Sequence, residues 1–162
     1  MAEDDTLLRE FLKEWEAYQG QLIAALVPLS TAQLALGVAP QLRTIGVLAA
    51  HMIAARVWWF HYVLGEGGPQ LAPLVEWDDD GAPQRSADEL VGGLAATWEV
   101  MQNAIGRWTP ADLVEVVRRE VRGKERVYKR SWVVWHIIEH DLHHGGEISL
   151  TLGRHGLAAP DI

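Results

Sequence analysis

The stretch from Ser131 to Gly156, SWVVWHIIEHDLHHGGEISLTLGRHG, carries five of the seven histidines and constrains the fold more than any other part of the chain. At about 100° per residue on a helix, His136, His140 and His144 fall on successive turns of one side, with His143 in the same sector. Trp132, Trp135, Ile137 and Leu150 stand beside that stripe, so the imidazoles are expected to face an interior rather than water. A buried neutral imidazole carries a donor and an acceptor, and both need partners. The i, i+4 pair His140 and His144 has the spacing at which two rings of one helix reach a single metal ion. A third ligand has to come from another element.

The chain has 162 residues, 49% of them hydrophobic, enough for one domain over residues 1–162 with a real core. A formal charge of -8 and a pI near 5.3 argue against nucleic-acid binding, which goes with a basic balance. With no cysteine, disulfides, thiolate metal sites and cysteine nucleophiles are excluded together. Imidazole and carboxylate chemistry is left. The first residues lack a basic region, and the most apolar run, Ile45 to Phe60, is interrupted by His51 and Arg56. A soluble cytoplasmic protein with no membrane partner is expected. Eleven Arg against three Lys is a bias associated with GC-rich bacterial genomes.

In chain order, Leu8, Leu12, Trp15, Leu22 and Leu26, with Phe11, Tyr18 and Ile23, recur at spacings of three and four and predict an amphipathic helix ended by Pro28. Ser30 and Gln33 have the form of a capping box for a short turn, and Thr44 that of an N-cap. A second long helix is predicted from Ile45 to Leu64, burying Leu48, Met52, Trp59 and Val63 and stopped by Gly65, Gly67 and Gly68. His51 lies on the flank of that buried stripe, with Ala55, Trp58 and Tyr62 on its side. It is the candidate third ligand, and Trp58 and Tyr62 are the candidate walls of the pocket; His61 points elsewhere, to the surface.

Residues 66–85, rich in Gly, Pro and Asp, read as a loop. The run Asp78, Asp79, Asp80 lacks the spaced pattern of a calcium loop and reads as solvated. Ser86 with Glu89 forms a second capping box, and Leu90, Leu94, Trp98, Met101 and Ile105 continue a helix to about Gly106. Thr109, Pro110 and Asp112 have the form of another helix start. Between Leu113 and Arg130 the period changes: Val114, Val116, Val121 and Val127 around Gly123-Lys124 predict an irregular or weakly β connection. Seven of the fourteen cations lie there, including Arg118, Arg119, Arg122 and Arg126, which makes the segment a candidate guide for an anionic substrate. Ser131 is the candidate cap of the last helix. That helix is expected to run through Gly145-Gly146 to about Gly153, although each Gly costs about 1 kcal/mol against Ala. Glu147, one turn beyond His143 and His144, could then accept a proton from a ligand imidazole.

His51 on the second long helix, the pair Trp58-Trp59, and the run His140-Asp-Leu-His-His-Gly-Gly-Glu147 resemble the DinB/YfiT-like superfamily of metalloenzymes over nearly the whole chain. The resemblance implies a four-helix bundle, commonly dimeric, with a divalent metal ion such as Zn, Ni or Fe held by three histidines that match His51, His140 and His144. Relatives of this kind include S-transferases that use a low-molecular-weight thiol such as bacillithiol or mycothiol, a maleylpyruvate isomerase and hydrolase-like members. The implied partners are therefore a small thiol and an electrophile. Where the family often has Arg-Gly-Gln after the paired histidines, this chain has Gly145-Gly146-Glu147.

Other readings stay open on the residues themselves. His140-Asp141-Leu142-His143-His144 is one methylene short of the zincin pattern, with Asp141 in the position of the base. The extended metzincin spacing meets Glu147 and Leu150 where Gly and His are needed. A di-iron carboxylate bundle requires Glu three residues before His, which no histidine here has. A bundle whose metal is structural, or whose pocket only binds a ligand, is the alternative from a different class.

Overall fold

Helical spacing of apolar residues builds the first element, α1 (Ala2–Leu26), of a computed structural model that describes the backbone of residues 2–160 and the side chains of residues 8–160. Trp15, Tyr18, Leu22 and Leu26 are buried along one face of α1, and Leu8 and Leu12 pack partly against the core beside them. Phe11 shares that face by spacing, four residues before Trp15 and seven before Tyr18, yet it is exposed. Both bonds of the Ser30–Gln33 capping box open the short α2 (Thr31–Leu34). Thr44 caps α3 (Ile45–Arg56) by accepting from the Val47 N–H.

The second long helix changes pitch before it ends. Val57–Val63 is π-helical, and i→i+5 bonds such as Leu64 N–H to the Trp59 carbonyl widen the turn. The α-helical spacing placed Trp59 among the buried residues; the wider turn swings it to a half-buried position against Tyr128, Trp132 and His136. Residues 66–85 are also more ordered than their composition implies. Pro69–Asp78 forms a 3-10 helix on which Leu71 is buried and Leu74 and Trp77 pack on the core. Their spacing of three is the period of that helix.

The Ser86–Glu89 capping box starts α4 (Ala87–Arg107), and the Thr109–Asp112 box starts α5 (Pro110–Val114). The connection that follows is a regular antiparallel hairpin, β1 (Val116–Val121) and β2 (Lys124–Lys129), with Val116 opposite Lys129 and Val121 opposite Lys124. Arg122 and Gly123, at φ 51° and 71°, form its two-residue turn, the left-handed pair such hairpins require. The last helix, α6 (Arg130–Arg154), begins directly after β2. Its N-cap position is Lys129 and carries no side-chain cap, so Ser131 lies inside the first turn rather than capping it. Gly145 and Gly146 stay helical. A methyl group at Gly145 would overlap the Tyr18 hydroxyl, which donates to the Asp141 carbonyl at 3.0 Å.

The architecture is thus mostly helical, with one small two-stranded sheet beside the bundle. Two apolar clusters fill the bundle, one around Leu22, Leu26, Ile53, Leu94 and Ile148, the other around Trp15, Phe60, Trp98, Met101 and Ile137. A polar hub lies between them in the order of every long helix: Gln19 on α1, Arg56 on α3, Thr97 on α4 and Asp141 on α6. Arg56 donates through Nε and Nη2 to Asp141 at 3.1 and 2.7 Å and through Nη2 to Gln19 at 2.6 Å. Its Nη1 reaches the Leu94 carbonyl at 3.4 Å and Thr97 at 3.5 Å, and Trp15 Nε1 donates to Asp141 at 3.0 Å. Burial and the Asp141 charge push the Tyr18 phenol up to about 12, against the opposing pull of Arg56. Among the described residues no helix is long and apolar enough to cross a membrane.

Candidate metal centre

The long helices α3 and α6 bring three imidazoles together just beyond the polar hub. His51 comes from α3, and His140 and His144 from successive turns of α6. One ring nitrogen from each lies within 4.8 Å of the others. The Nε2 atoms of His51 and His140 are 3.0 Å apart, and the ring centroids of His140 and His144 are separated by 4.4 Å.

Two carboxylates fix the tautomers. Asp78, at the end of the 3-10 helix, accepts from His51 Nδ1 at 2.7 Å, and Glu147 accepts from His144 Nδ1 at 2.6 Å. With Nδ1 carrying the proton, each ring presents its Nε2 lone pair to the cluster. His140 has no such partner: its Nδ1 is buried and makes no hydrogen bond among the described residues. Burial, followed by repulsion from His144, His51, His136 and Arg56, lowers the His140 pKa from 6.5 to about 3. Burial also lowers that of His144, against the raising effect of its bond to Glu147.

These features meet the requirements of a divalent ion. Two nitrogens bound at about 2.0–2.1 Å to one tetrahedral ion stand about 3.3 Å apart, close to the His51–His140 separation. Neutral imidazoles leave the charge of the ion in place, and a set of three leaves a fourth position open. The three-histidine group therefore fits a divalent metal ion.

His51 and His140 form the floor of a pocket of about 990 Å³, with His136 beside them. Trp58, Trp59 and Tyr128 wall it, and the hairpin adds Arg122, Lys124 and Arg126 at its edge, with Asp79 and Glu120 also lining it. The basic candidates thus divide. Arg122 and Arg126 line the pocket, whereas Arg118 pairs with Glu125 at 3.1 Å and Arg119 donates to the Tyr62 carbonyl at 3.2 Å. Tyr62 is likewise not a wall; it is exposed, with its ring 5.8 Å from that of Trp58. His136 stacks on Trp132 and bonds Glu139 at 3.1 Å, His143 is exposed, and His61 is half-buried on the Glu66 carbonyl. The histidine face is also wetter than its neighbours implied, since Trp132, Trp135 and Leu150 are all exposed.

Two acids have positions that the sequence did not yield. Asp78 was expected in a solvated loop; the spacing of Leu71, Leu74 and Trp77 is the signal that its segment packs, and packing carries it to His51. Asp141 cannot serve as a zincin base, because it is fully buried and its oxygens accept from Arg56 and Trp15. That excludes the peptidase geometry.

The model of the DinB family matches residues 1–162 of this chain. Among solved structures, the crystal structure of a DinB-like protein from Bacillus cereus ATCC 10987 is similar to it, with a TM-score of 0.68 and 25% identity, covering 94% of this chain and 95% of that one. No curated protein matches the chain.

Proposed function

Since the chain belongs to the DinB family, we propose that it is a metal-dependent enzyme in which His51, His140 and His144 hold one divalent ion, Zn, Ni or Fe, and which transfers a small anionic thiol to an electrophile. The observation that carries this reading is the convergence of three carboxylate-oriented or buried neutral imidazoles, two of which, His51 and His140, line an open pocket. An ion held there would lower the pKa of a bound thiol or water and so supply a nucleophile at neutral pH.

The chain's own residues account for the rest. Asp78 and Glu147 keep the Nε2 lone pairs of His51 and His144 aimed at one point. Arg122, Lys124 and Arg126 attract an anion to the pocket edge, while the Trp58, Trp59 and Tyr128 rings restrict water. The protein has no cysteine, so the thiol belongs to a cosubstrate such as bacillithiol or mycothiol. Such thiols place the reaction in the bacterial cytoplasm. Exposed Trp135, Leu142 and Leu150 on α6 support a homodimer.

The test combines elemental analysis of chelator-free protein with turnover. One ion per chain, and electrophile consumption with bacillithiol or mycothiol that His140→Ala abolishes, is the expected result. Full metal retention in His51→Ala overturns the three-ligand site. No turnover across a broad panel of thiols and electrophiles moves the reading to a non-catalytic metal- or ligand-binding bundle.

A further inference from the structure

On the outer side of His144 the same helix gathers a second set of ligands. His143 and Glu147 are i, i+4 neighbours on α6, and Glu147 Oε2 lies 3.9 Å from His143 Nε2 and 2.6 Å from His144 Nδ1. The His143 and His144 rings stand edge to face at 4.8 Å. Ligand atoms of all three residues fall within 4.8 Å of one another.

We propose that His143, His144 Nδ1 and Glu147 form a second, weaker site for a divalent transition-metal ion, sharing the His144 ring with the three-histidine centre. Ligand atoms on one tetrahedral ion stand about 3.3 Å apart, a value bracketed by the two separations to Glu147. Two imidazole nitrogens and a carboxylate suit Zn, Ni or Fe, whereas calcium and magnesium require oxygen ligands. All three ligands sit on little more than one turn of a formed helix, so binding freezes side chains without ordering backbone. His143 is 69% exposed and Glu147 45%, so water completes the coordination and the affinity stays below that of the inner site.

Shared use of His144 has a chemical consequence. Its Nδ1 proton now points at Glu147. With the inner site filled, coordination at Nδ1 would release that proton to solvent and turn Glu147 from hydrogen-bond acceptor into metal ligand. With both sites filled, each nitrogen of the His144 ring would serve one of the two sites. Excess metal therefore removes the group that orients His144 for the inner site.

The inference rests on the three-histidine reading only through His144, and zinc titration of untagged protein separates the two. The wild type is expected to bind two zinc ions per chain, the second at least tenfold weaker and with one additional proton released, read by calorimetry in two buffers of different ionisation enthalpy. His143→Ala should keep the tight ion and lose the weak one; His51→Ala should do the reverse. Circular dichroism before titration checks that both variants are folded. If His143→Ala still binds two ions, or the wild type binds one that His143→Ala retains, the second site is overturned. If instead His51→Ala retains the tight ion, the inner-site reading fails while the outer one stands.

Discussion

Asp78 illustrates how much a single side chain outside the ligand set can control. Its bond to His51 Nδ1 fixes which nitrogen carries the proton and so which one faces the cluster. Asp78→Ala should weaken metal binding by about 10–100-fold. The melting temperature of the metal-free protein should change little, because Asp78 keeps about a third of its surface in water. Competition against a chelator of known affinity measures this, and an unchanged affinity would show that Asp78 does not orient the ring. His140 yields a pH prediction. Its pKa falls from 6.5 to about 3 on folding, chiefly through burial, so between those values the unfolded chain binds a proton that the native chain does not. Metal-free protein should accordingly lose stability as the pH drops from about 6.5 toward 3, with His140 contributing at most about 1.4 kcal/mol per pH unit. The real slope is smaller because the ring keeps some contact with solvent. Thermal melts at pH 7.5 and 5 should diverge less in His140→Gln than in the wild type; equal divergence would assign the loss to other groups.

At the scale of elements, β1 and β2 present their cations in two directions, and the difference can be tested. Lys124, Arg126 and Tyr128 turn toward the pocket, while Arg118 is tied to Glu125. If the pocket-facing charges steer an anionic substrate, Arg122→Glu with Arg126→Glu should lower kcat/KM, and the deficit should narrow as salt screens the wild type. Arg118→Glu should leave kcat/KM within about twofold at every ionic strength, as expected of a solvent-screened surface charge. A deficit independent of salt would point to contact or structural damage instead. Several elements were legible where local chemistry specifies them: the boxes at Ser30 and Ser86, the cap at Thr44 and the helix start at Thr109 form as read, whereas the connection around Gly123 is a regular hairpin instead of an irregular or weakly β segment and Ser131 does not cap α6. Elements with other periods were not. The 3-10 helix at Pro69–Asp78 lay hidden in a Gly- and Pro-rich composition, and the π-helical Val57–Val63 keeps an α-like apolar spacing up to the point where it unwinds. Half of the candidate site followed from i, i+4 spacing. The other half, Asp78 and the division of the arginines, depends on how separate segments pack, which spacing within one helix does not encode.

The whole molecule is held in register by the hub that all four long helices share. Arg56 and Asp141 are both fully buried, one a turn beyond His51 on α3 and the other next to His140 on α6. A buried ion pair adds little net stability, because removing two charges from water offsets most of their attraction, whereas an orphaned member of the pair costs about 3–5 kcal/mol. Its geometric demand is stricter than that of apolar contacts. The bidentate bond fixes the axial position of α6 against α3, and that position decides whether His140 and His144 stand opposite His51. Asp141→Asn and Arg56→Met should each destabilise the fold by about 3–5 kcal/mol, read from urea unfolding. The double variant Arg56→Met with Asp141→Leu should recover most of that loss, since neither charge is left unpaired. Its metal affinity should nevertheless remain below wild type, because Met and Leu fill the space without fixing the register. A double variant as unstable as the single ones would mean that the pair is a net source of stability. Recovery of full metal affinity along with stability would mean that apolar packing alone sets the histidines in place.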